Sequence, residues 1–249
     1  MRAAVELARD GHSVVLFEAT DELGGQLNLA RRVPGRESIG LLVDDLTRDL
    51  AASGVDVRLG IHATADTIAD ESPDEVVIAT GAVATPRASA IDAFSALDAI
   101  VVDPGRLARR VLVVDTDGTS YASGIVLSLV VASLVVEVVT PFETLFPHVG
   151  SGYDRQLLLS TLGAAPGFGR HVHQAVEDMS GTRVTTRDLL TGEPEALDGY
   201  DAIVAVEPRT AVLPDLAVDA ARVIGDALSP RNIDAAIFEA VEMAYAGAR

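Results

Sequence analysis

Short apolar runs rich in β-branched residues alternate along the chain with longer stretches in which apolar residues recur at helical spacing. The apolar runs predict buried strands at residues 13–18, 55–59, 75–79, 110–115, 134–140, 202–206 and 222–225. The helical stretches predict helices at residues 1–10, 37–53, 121–132 and 233–246, and residues 182–201 predict a small antiparallel element. This alternation is typical of an α/β protein in which helices cover parallel sheets.

The order of these elements predicts two units of the same kind. A dinucleotide-binding unit opens with a strand, a glycine-rich turn and a helix. The second series of elements opens with the strand that begins at Arg110, whereas the chain itself opens on a helix, followed by a strand that ends at Glu18. We therefore expect two Rossmann-like three-layer domains, of which the first is missing its N-terminal strand and glycine turn upstream of Met1. A helix-first α/β domain that needs no such strand is the alternative.

Composition excludes several kinds of chemistry. The 249 residues contain no Cys, and all 19 basic residues are Arg, against 37 acidic residues and a formal net charge of −18. The absence of Cys excludes disulfides and cysteine-ligated iron–sulfur or zinc sites within the chain, and the absence of Lys excludes Schiff-base and phosphate-loop lysines. The acidic balance argues against a nucleic-acid partner, because phosphate neutralisation needs a basic surface.

No segment predicts membrane insertion or export. The most apolar run, residues 125–136, is 12 residues long, and a bilayer span needs about 20. We interpret it as a buried helix that leads into a buried strand. The first residues carry Glu6 and lack the apolar core of a signal peptide, so we expect a cytoplasmic protein.

Residues suited to a bound nucleotide stand where strands end. A carboxylate at the end of a strand, such as Glu18 or Asp226, can accept a hydrogen bond from a ribose or ribityl hydroxyl. Adjacent glycines allow the backbone to approach a pyrophosphate. The segments that carry these residue types are Gly24-Gly25-Gln26-Leu27-Asn28, Ala79-Thr80-Gly81 and Ile224-Gly225-Asp226-Ala227. Each segment taken alone is also compatible with an ordinary turn.

The chain resembles the C-terminal half of a flavoprotein family. The resemblance rests on the order of these segments and on two more, Val33-Pro34-Gly35-Arg36-Glu37 and Pro230-Arg231. That family contains the 2,4-dienoyl-CoA reductases and the trimethylamine and histamine dehydrogenases. Its members join an Old Yellow Enzyme-like FMN barrel with a 4Fe-4S cluster to two dinucleotide-binding domains. The resemblance implies an FAD or ADP site lined by Glu18, Gly24, Gly25, Gln26, Leu27, His62, Ala79, Thr80, Gly81, Gly225 and Asp226. It also implies a discontinuous first domain, residues 1–89 plus 215–249, with residues 90–214 as an inserted second domain.

The second half departs from the family pattern. The turn after the strand at residues 110–115 reads Thr116-Asp117-Gly118-Thr119-Ser120 instead of a G-x-G-x-x-G sequence. Asp115 and Asp117 would face a pyrophosphate with like charge, which is unfavourable. Glu207 stands after residues 202–206, where the family has Thr-Gly. These departures count against NAD(P)H binding by this half.

The function expected from the resemblance is that of a nucleotide-binding subunit in a flavin-dependent oxidoreductase, either amine dehydrogenase- or demethylase-like or enoate reductase-like. A larger partner chain would carry the FMN barrel and the 4Fe-4S cluster, and would supply the missing strand and glycine turn. We expect no catalytic residue and no metal site in this chain. The pair His171 and His173 could bind a metal, but no third ligand is evident nearby. Two alternatives remain: a non-catalytic nucleotide-binding or assembly protein, and a truncated reading frame of a longer enzyme.

Overall fold

The strands and helices belong to two units of the chain, seen in a computed structural model that describes residues 1–103, 107, 109–150, 153–216 and 221–247. The first unit comprises Met1–Arg31, Glu37–Val83 and Arg209–Arg249, and the second comprises Arg32–Arg36 and Ala84–Pro208. Both units contain parallel strands and helices, so the predicted α/β class is confirmed.

A five-stranded parallel sheet forms the centre of the second unit. Its strands, in spatial order, are β5 (Ile91–Asp92), β12 (Ala202–Val206), β6 (Arg110–Asp115), β7 (Val135–Val139) and β8 (Gly169–His171). The helices of this unit are α5 (Ala93–Val102), α6 (Ser120–Val131) and α7 (Tyr153–Gly163). Side chains 111–115 of β6 are all buried, which is the burial expected of a central parallel strand covered on both faces.

A three-stranded antiparallel sheet completes the second unit. It contains β9 (Gln174–Ser180), β10 (Arg183–Asp188) and β11 (Pro194–Leu197), with β10 in the middle. Val184 and Leu197 pack against Leu112 and Val114 of the parallel sheet. Sequence analysis predicted the antiparallel element but not β9, whose pattern of burial does not alternate regularly.

The first unit contains three separate pairs of strands. β1 (Val15–Phe17) lies parallel to β2 (Asp56–Arg58), and β14 (Arg222–Val223) lies parallel to β3 (Val77–Ile78). The third pair, β4 (Ala82–Val83) with β13 (Thr210–Ala211), is antiparallel. The helices are α1 (Arg2–Arg9), α2 (Gln26–Ala30), α3 (Ser38–Ser53), α4 (Ala65–Glu71) and α8 (Ile233–Gly247).

The strands of the first unit are shorter than their apolar runs. The run at residues 75–79 forms only the two residues of β3, and the run at 222–225 forms only the two residues of β14. Each of these strands is paired along one edge only within the described part of the chain, and a strand without a second neighbour has fewer backbone bonds to extend it.

Helix α6 and strand β7 account for the most apolar part of the sequence, as predicted. Val126, Leu129, Val136 and Val138 are fully buried, so this run belongs to the core of the second unit. Over the ranges described above, no helix combines the length and the apolar character that crossing a bilayer requires.

Candidate functional site

Two glycines before α2 have backbone conformations that other residues rarely adopt. Gly24 has φ +114° and Gly25 has φ +50°. A Cβ at Gly24 would lie 3.0 Å from both the side-chain amide of Asn28 and Cγ1 of Val43, so the backbone at Gly24 is closely packed. A Cβ at Gly25 would meet nothing within 4 Å. Gly25 is exposed, so its backbone is open to a ligand.

Gln26 connects three segments of the first unit through its side chain. Its Nε2 donates to the carbonyl oxygen of Ala82, and its Oε1 accepts from Nη1 of Arg209 at 3.1 Å. The same Nη1 of Arg209 lies 2.5 Å from Oδ2 of Asp226. The side chains of Arg209 and Asp226 are 16% and 18% exposed. The structure therefore brings together two predicted site residues, Gln26 and Asp226, through an arginine between them.

A second set of bonds fixes the backbone around Asp226. Oδ1 of Asp226 accepts from the backbone N–H of Arg231 at 2.8 Å, and Nη2 of Arg209 donates to the carbonyl of Arg231 at 2.6 Å. The guanidinium of Arg231 pairs with Glu239 of α8, which also accepts from the backbone N–H of Gly225 at 2.7 Å. The turn after β14 is thus held at both ends by charge-assisted hydrogen bonds, which are stronger than neutral ones.

The predicted segment after β3 lies against the same network. The hydroxyl of Thr80 donates to the carbonyl of Val212, whose N–H donates to the carbonyl of Gly81 at 3.0 Å. Gly81 has φ +79°, and a Cβ there would lie 3.4 Å from Nε2 of Gln26. Ala79 and Thr80 are exposed. Gly81 therefore allows Gln26 to reach Ala82.

Glu18, His62 and Leu27 are not joined to this network by any described hydrogen bond. Glu18 follows β1 and is half-buried; its Oε1 accepts from the backbone N–H and the hydroxyl of Thr20 at 3.0 and 2.9 Å. His62 is exposed in the loop between β2 and α4. Leu27 is half-buried in α2, with its N–H bonded to the carbonyl of Gly24.

Sequence analysis missed two residues of the network, Arg209 and Glu239. Arg209 lies three residues beyond the end of β12, and no motif in the sequence connects it with Gln26 or Asp226. Glu239 lies thirteen residues beyond Asp226 in α8, where a carboxylate in an amphipathic helix usually indicates a solvated face. Only the folded arrangement shows that both residues hold the turn after β14.

The turn after β6 in the second unit is covered by its own chain. A Cβ at Gly118 would lie 2.7 Å from Phe142, 3.0 Å from Pro147 and 3.2 Å from His148. The backbone N–H of His148 donates to the carbonyl of Gly118 at 3.0 Å. A dinucleotide's pyrophosphate lies over the corresponding turn of a Rossmann-like unit. The residues at this turn therefore do not fit an NAD(P)H pyrophosphate.

Charge at the same turn also opposes phosphate. Asp115 is fully buried; its Oδ1 accepts from the N–H groups of Asp117 and Gly118 at 3.0 and 2.8 Å, and its Oδ2 has no partner. Burial raises the pKa of Asp115 to about 7; the two N–H bonds oppose this shift, and the charges of Asp117 and Glu207 add to it. Glu207 is itself paired with Arg87 at 2.6 Å.

A half-buried carboxylate, Glu137 of β7, bonds to a second group of side chains on this sheet. Its carboxylate accepts hydrogen bonds from the guanidinium of Arg110 at 2.7 Å and from the hydroxyl of Tyr200 at 2.8 Å. It also contacts Nε2 of His171 at 3.0 Å. Burial opposes its ionisation, but the bonds from His171, Arg110 and Tyr200 outweigh burial and lower the pKa of Glu137 to about 2. His173 has φ +57°, so the two histidines do not share the face of one strand.

No protein-family profile matches the chain. Among curated proteins, it is 47% identical over 88 residues to an NADH oxidase of Thermoanaerobacter brockii, covering 35% of this chain and 14% of that protein. It is 48% identical over 81 residues to the N,N-dimethylglycine/sarcosine dehydrogenase of Chromohalobacter salexigens, covering 32% and 12%. It is 32% identical over 156 residues to a probable N-methylproline demethylase of Rhizobium meliloti, covering 60% and 22%. The matched stretches therefore span less than a quarter of the length of each of these relatives.

Solved structures share the fold across the whole chain. Histamine dehydrogenase from Rhizobium sp. 4-9 superposes with a TM-score of 0.84 and 22% identity, covering 98% of this chain and 41% of that one. Thioredoxin reductase of Lactococcus lactis superposes with a TM-score of 0.67 and 18% identity, covering 99% and 93%. These likenesses confirm the predicted Rossmann-like fold of the FAD/NAD(P)-binding type.

Proposed function

Because the chain is related to the flavin-dependent oxidoreductases that its motifs resemble, we propose that its first unit binds the adenosine diphosphate part of FAD, or ADP itself. The observation that carries this proposal is the network of Gln26, Arg209 and Asp226 beside the open backbone of Gly25. The hydrogen bonds of this network hold polar side chains in place beside turns that contain glycine. FAD, when bound, would supply electron transfer, whereas ADP would supply structure only.

Individual residues of the first unit have separate roles in this proposal. Gly25 admits the pyrophosphate because no side chain stands over its backbone. Glu18 uses Oε1 to hold Thr20, so its Oε2 can accept a ribose hydroxyl. Asp226, oriented by Arg209 and by the N–H of Arg231, accepts a hydroxyl of the ligand. Arg209 and Arg231 also offset the negative charge that Asp226 and Glu239 would present to phosphates.

The second unit has no NAD(P)H-binding role in this proposal. Support comes from the contacts of Phe142, Pro147 and His148 with the turn at Gly118 and from the carboxylates of Asp115 and Asp117 at that turn. In nucleotide binding, this unit would have a structural role only, and its sheet would keep the turn at Gly118 closed.

The substrate reaction would take place outside this chain. We propose that a larger partner chain carries an FMN barrel and a 4Fe-4S cluster. Partial coverage supports this: the matched stretches span 12–22% of the three curated proteins, and the chain covers 41% of histamine dehydrogenase. These 249 residues contain no Cys and so would supply no ligand to a cysteine-bound cluster. The class of reaction would be oxidation of a small amine or reduction of an activated alkene.

A glycine substitution tests the nucleotide site. Gly25→Ala places a methyl group in open space over the proposed pyrophosphate position, so calorimetric titration should show at least about tenfold weaker binding of ADP or FAD. The matched control is Gly181→Ala in the turn between β9 and β10. Gly181 also has positive φ, +59°, and nothing within 4 Å of its Cβ position. The control should bind as the parent chain does.

Thermal unfolding of both glycine variants separates folding from binding, because alanine at positive φ costs of order 1 kcal/mol at either site. Binding of neither ADP nor FAD by the parent chain would contradict the proposal. Equal affinities for the parent chain and Gly25→Ala would also contradict it.

A further inference from the structure

The segment that follows β7, together with the first turn of α7, lines a cavity. Its volume is about 330 Å³, at the lower end of the roughly 300–1,000 Å³ typical of small-molecule sites, so it suits a small molecule rather than a dinucleotide. The lining residues are Thr144, Pro147, His148, Val149, Gly150 and Arg155. All of them belong to the second unit, so none is part of the proposed nucleotide site.

Arg155 is held in the cavity wall by the backbone that precedes it. Its Nε donates to the carbonyl of Phe146 at 3.3 Å. Its Nη2 donates to the carbonyl of Leu145 at 2.9 Å and to the hydroxyl oxygen of Thr144 at 3.1 Å. Leu145 and Phe146 are almost completely buried. A guanidinium fixed at three points loses little further freedom when it binds a ligand.

The backbone that holds Arg155 has an unfavourable conformation at one residue. Phe146 has φ +52°, in the left-handed region that residues other than glycine rarely adopt. Its carbonyl accepts both from Arg155 and from the N–H of Val149, the latter at 3.1 Å. Strained backbone persists where the surrounding structure holds it, and it is concentrated at ligand sites. The turn at Phe146 therefore fixes the position of Arg155.

The charge of Arg155 is not balanced within the described part of the chain. Arg87, Arg110 and Arg187 of the same unit each pair with a glutamate. Arg155 forms no ion pair with a described residue, and its described hydrogen bonds use Nε and Nη2 but not Nη1. None of the six lining residues is acidic. In a chain of net charge −18, a cavity that offers a positive charge and no carboxylate favours an anion.

The other lining residues offer hydrogen-bond donors and an apolar wall. The hydroxyl of Thr144 accepts from Arg155, so its own proton is available to a ligand. His148 is exposed at the cavity, and its imidazole can donate an N–H. Pro147 and Val149 are half-buried and apolar. This combination favours an anion that also carries a short hydrocarbon part.

We propose that this cavity binds a small monocarboxylate with a short apolar body. The carboxylate would accept hydrogen bonds from Nη1 of Arg155 and from the hydroxyl of Thr144, and the carbon body would contact Pro147 and Val149. One guanidinium balances one negative charge, whereas a phosphate dianion would bring a second charge into a strongly acidic chain. The proposal does not depend on the nucleotide site of the first unit.

NMR titration of the isotope-labelled chain tests the proposal, with butyrate as the probe. The amide signals of Thr144, Val149 and Gly150 should shift and saturate, with a Kd below about 1 mM. Acetate, which lacks most of the apolar body, should bind about three- to tenfold more weakly. Butanol, which lacks the charge, should cause no saturable shift at these amides.

Two variants locate the binding. Arg155→Gln removes the charge. Gly150→Val fills open space, because a Cβ at Gly150 would meet nothing within 4 Å and its φ is not positive, so the bonds of Arg155 are kept. Each variant should weaken butyrate binding about tenfold or more. The matched control is Gly163→Val at the end of α7, where a Cβ also meets nothing within 4 Å; it should bind butyrate as the parent chain does.

Several results would overturn the proposal. The first two are the absence of a saturable shift at the three amides with about 10 mM butyrate, and equal shifts with butanol. Tighter binding of inorganic phosphate than of butyrate at these amides would also contradict it, as would unchanged butyrate binding by Gly150→Val. Because Gly150→Val keeps the bonds of Arg155, the test does not depend on the folding of Arg155→Gln. No readout involves a nucleotide, so failure of the FAD or ADP proposal would leave this test intact.

Discussion

Asp115 shows how one carboxylate can make stability depend on pH. Its folded-state pKa of about 7 lies above the ordinary value of 3.8 because the side chain is buried. The folded state therefore holds a proton that the unfolded state has released between these two values. Stability is highest below the unfolded-state pKa, falls as pH rises toward 7, and levels off above it.

Asp115→Asn should remove this pH dependence. The amide oxygen can still accept from the N–H groups of Asp117 and Gly118, and no charge is buried at high pH. Relative to the parent chain, the variant should gain roughly 2–4 kcal/mol of stability at pH 8 and much less at pH 5, measured by urea unfolding. Asp178→Asn, at an exposed position, removes the same charge and is the control. A parent chain equally stable at both pH values would contradict this account.

Glu137 affects the pH dependence of stability in the direction opposite to that of Asp115. Its pKa is lowered to about 2 from 4.5 by three hydrogen-bond donors, so the stability that it contributes is present above pH 4.5 and is lost as pH falls toward 2. Glu137→Gln replaces one accepting oxygen by an NH₂ group, which would face the donor of Arg110, Tyr200 or His171. The variant should therefore lose about 2–3 kcal/mol of unfolding free energy at pH 7.

The control for Glu137 is Glu177→Gln, which breaks an exposed pair with Arg187. Surface pairs of this kind contribute at most about 1 kcal/mol. Chemical denaturation of both variants at pH 7 gives the comparison. Similar losses for the two variants would show that the bonds of Glu137 do not stabilise the sheet.

Single residues also mark the limit of what the sequence predicts about the site. Gly25, Gly81 and Asp226 could be proposed as site residues from the sequence, because glycine and aspartate at strand ends and turns have few functions. Arg209 could not, because its role depends on a contact between segments far apart in the chain. His62 was proposed from the resemblance alone, and the structure places it in an exposed loop without a bond to the network; its role remains a prediction.

At the scale of elements, the turn after β6 and the residues that cover it decide whether the second unit can accept a dinucleotide. Phe142, Pro147 and His148 fill the space over Gly118, and the rings of Phe142 and His148 stack edge to face at 5.3 Å. The sequence showed the unfavourable charges of Asp115 and Asp117. It could not show the covering residues, because they come from the segment after β7.

Titration with NADPH and NADH tests this closure. With the first unit saturated by ADP, calorimetry should detect no binding of either dinucleotide, which corresponds to a Kd above about 1 mM. ADP alone, titrated into the unsaturated protein, is the positive control. A micromolar Kd for either dinucleotide would mean that the loop over Gly118 opens and that the second unit is functional.

The sequence pattern predicts the bounds of an element accurately where its side chains are completely buried, and less accurately where they are not. β6 and β12 have the predicted bounds, Arg110–Asp115 and Ala202–Val206, because continuous β-branched runs suit a strand buried on both faces. β3 and β14 are shorter than their runs, since the length of a strand also depends on its neighbours. Four helices were not predicted: α2, α4, α5 and α7, which are five, seven, ten and eleven residues long.

At the scale of the whole molecule, the chain is strongly acidic yet is proposed to hold an anionic ligand. A net charge of −18 disfavours phosphate everywhere except where arginines are concentrated. Arg209 and Arg231 supply such a place in the first unit. The second unit presents the carboxylates of Asp115 and Asp117 at the turn after β6, so under the proposal the two units differ in the ligand that they accept.

Native mass spectrometry of gently purified protein, followed by release and identification of any nucleotide, shows whether the first unit holds FAD or ADP. We predict one FAD or ADP for each copy of this chain, in a complex with a larger flavin-containing chain. A folded chain that carries no nucleotide and gains none from added FAD or ADP would contradict the proposed function.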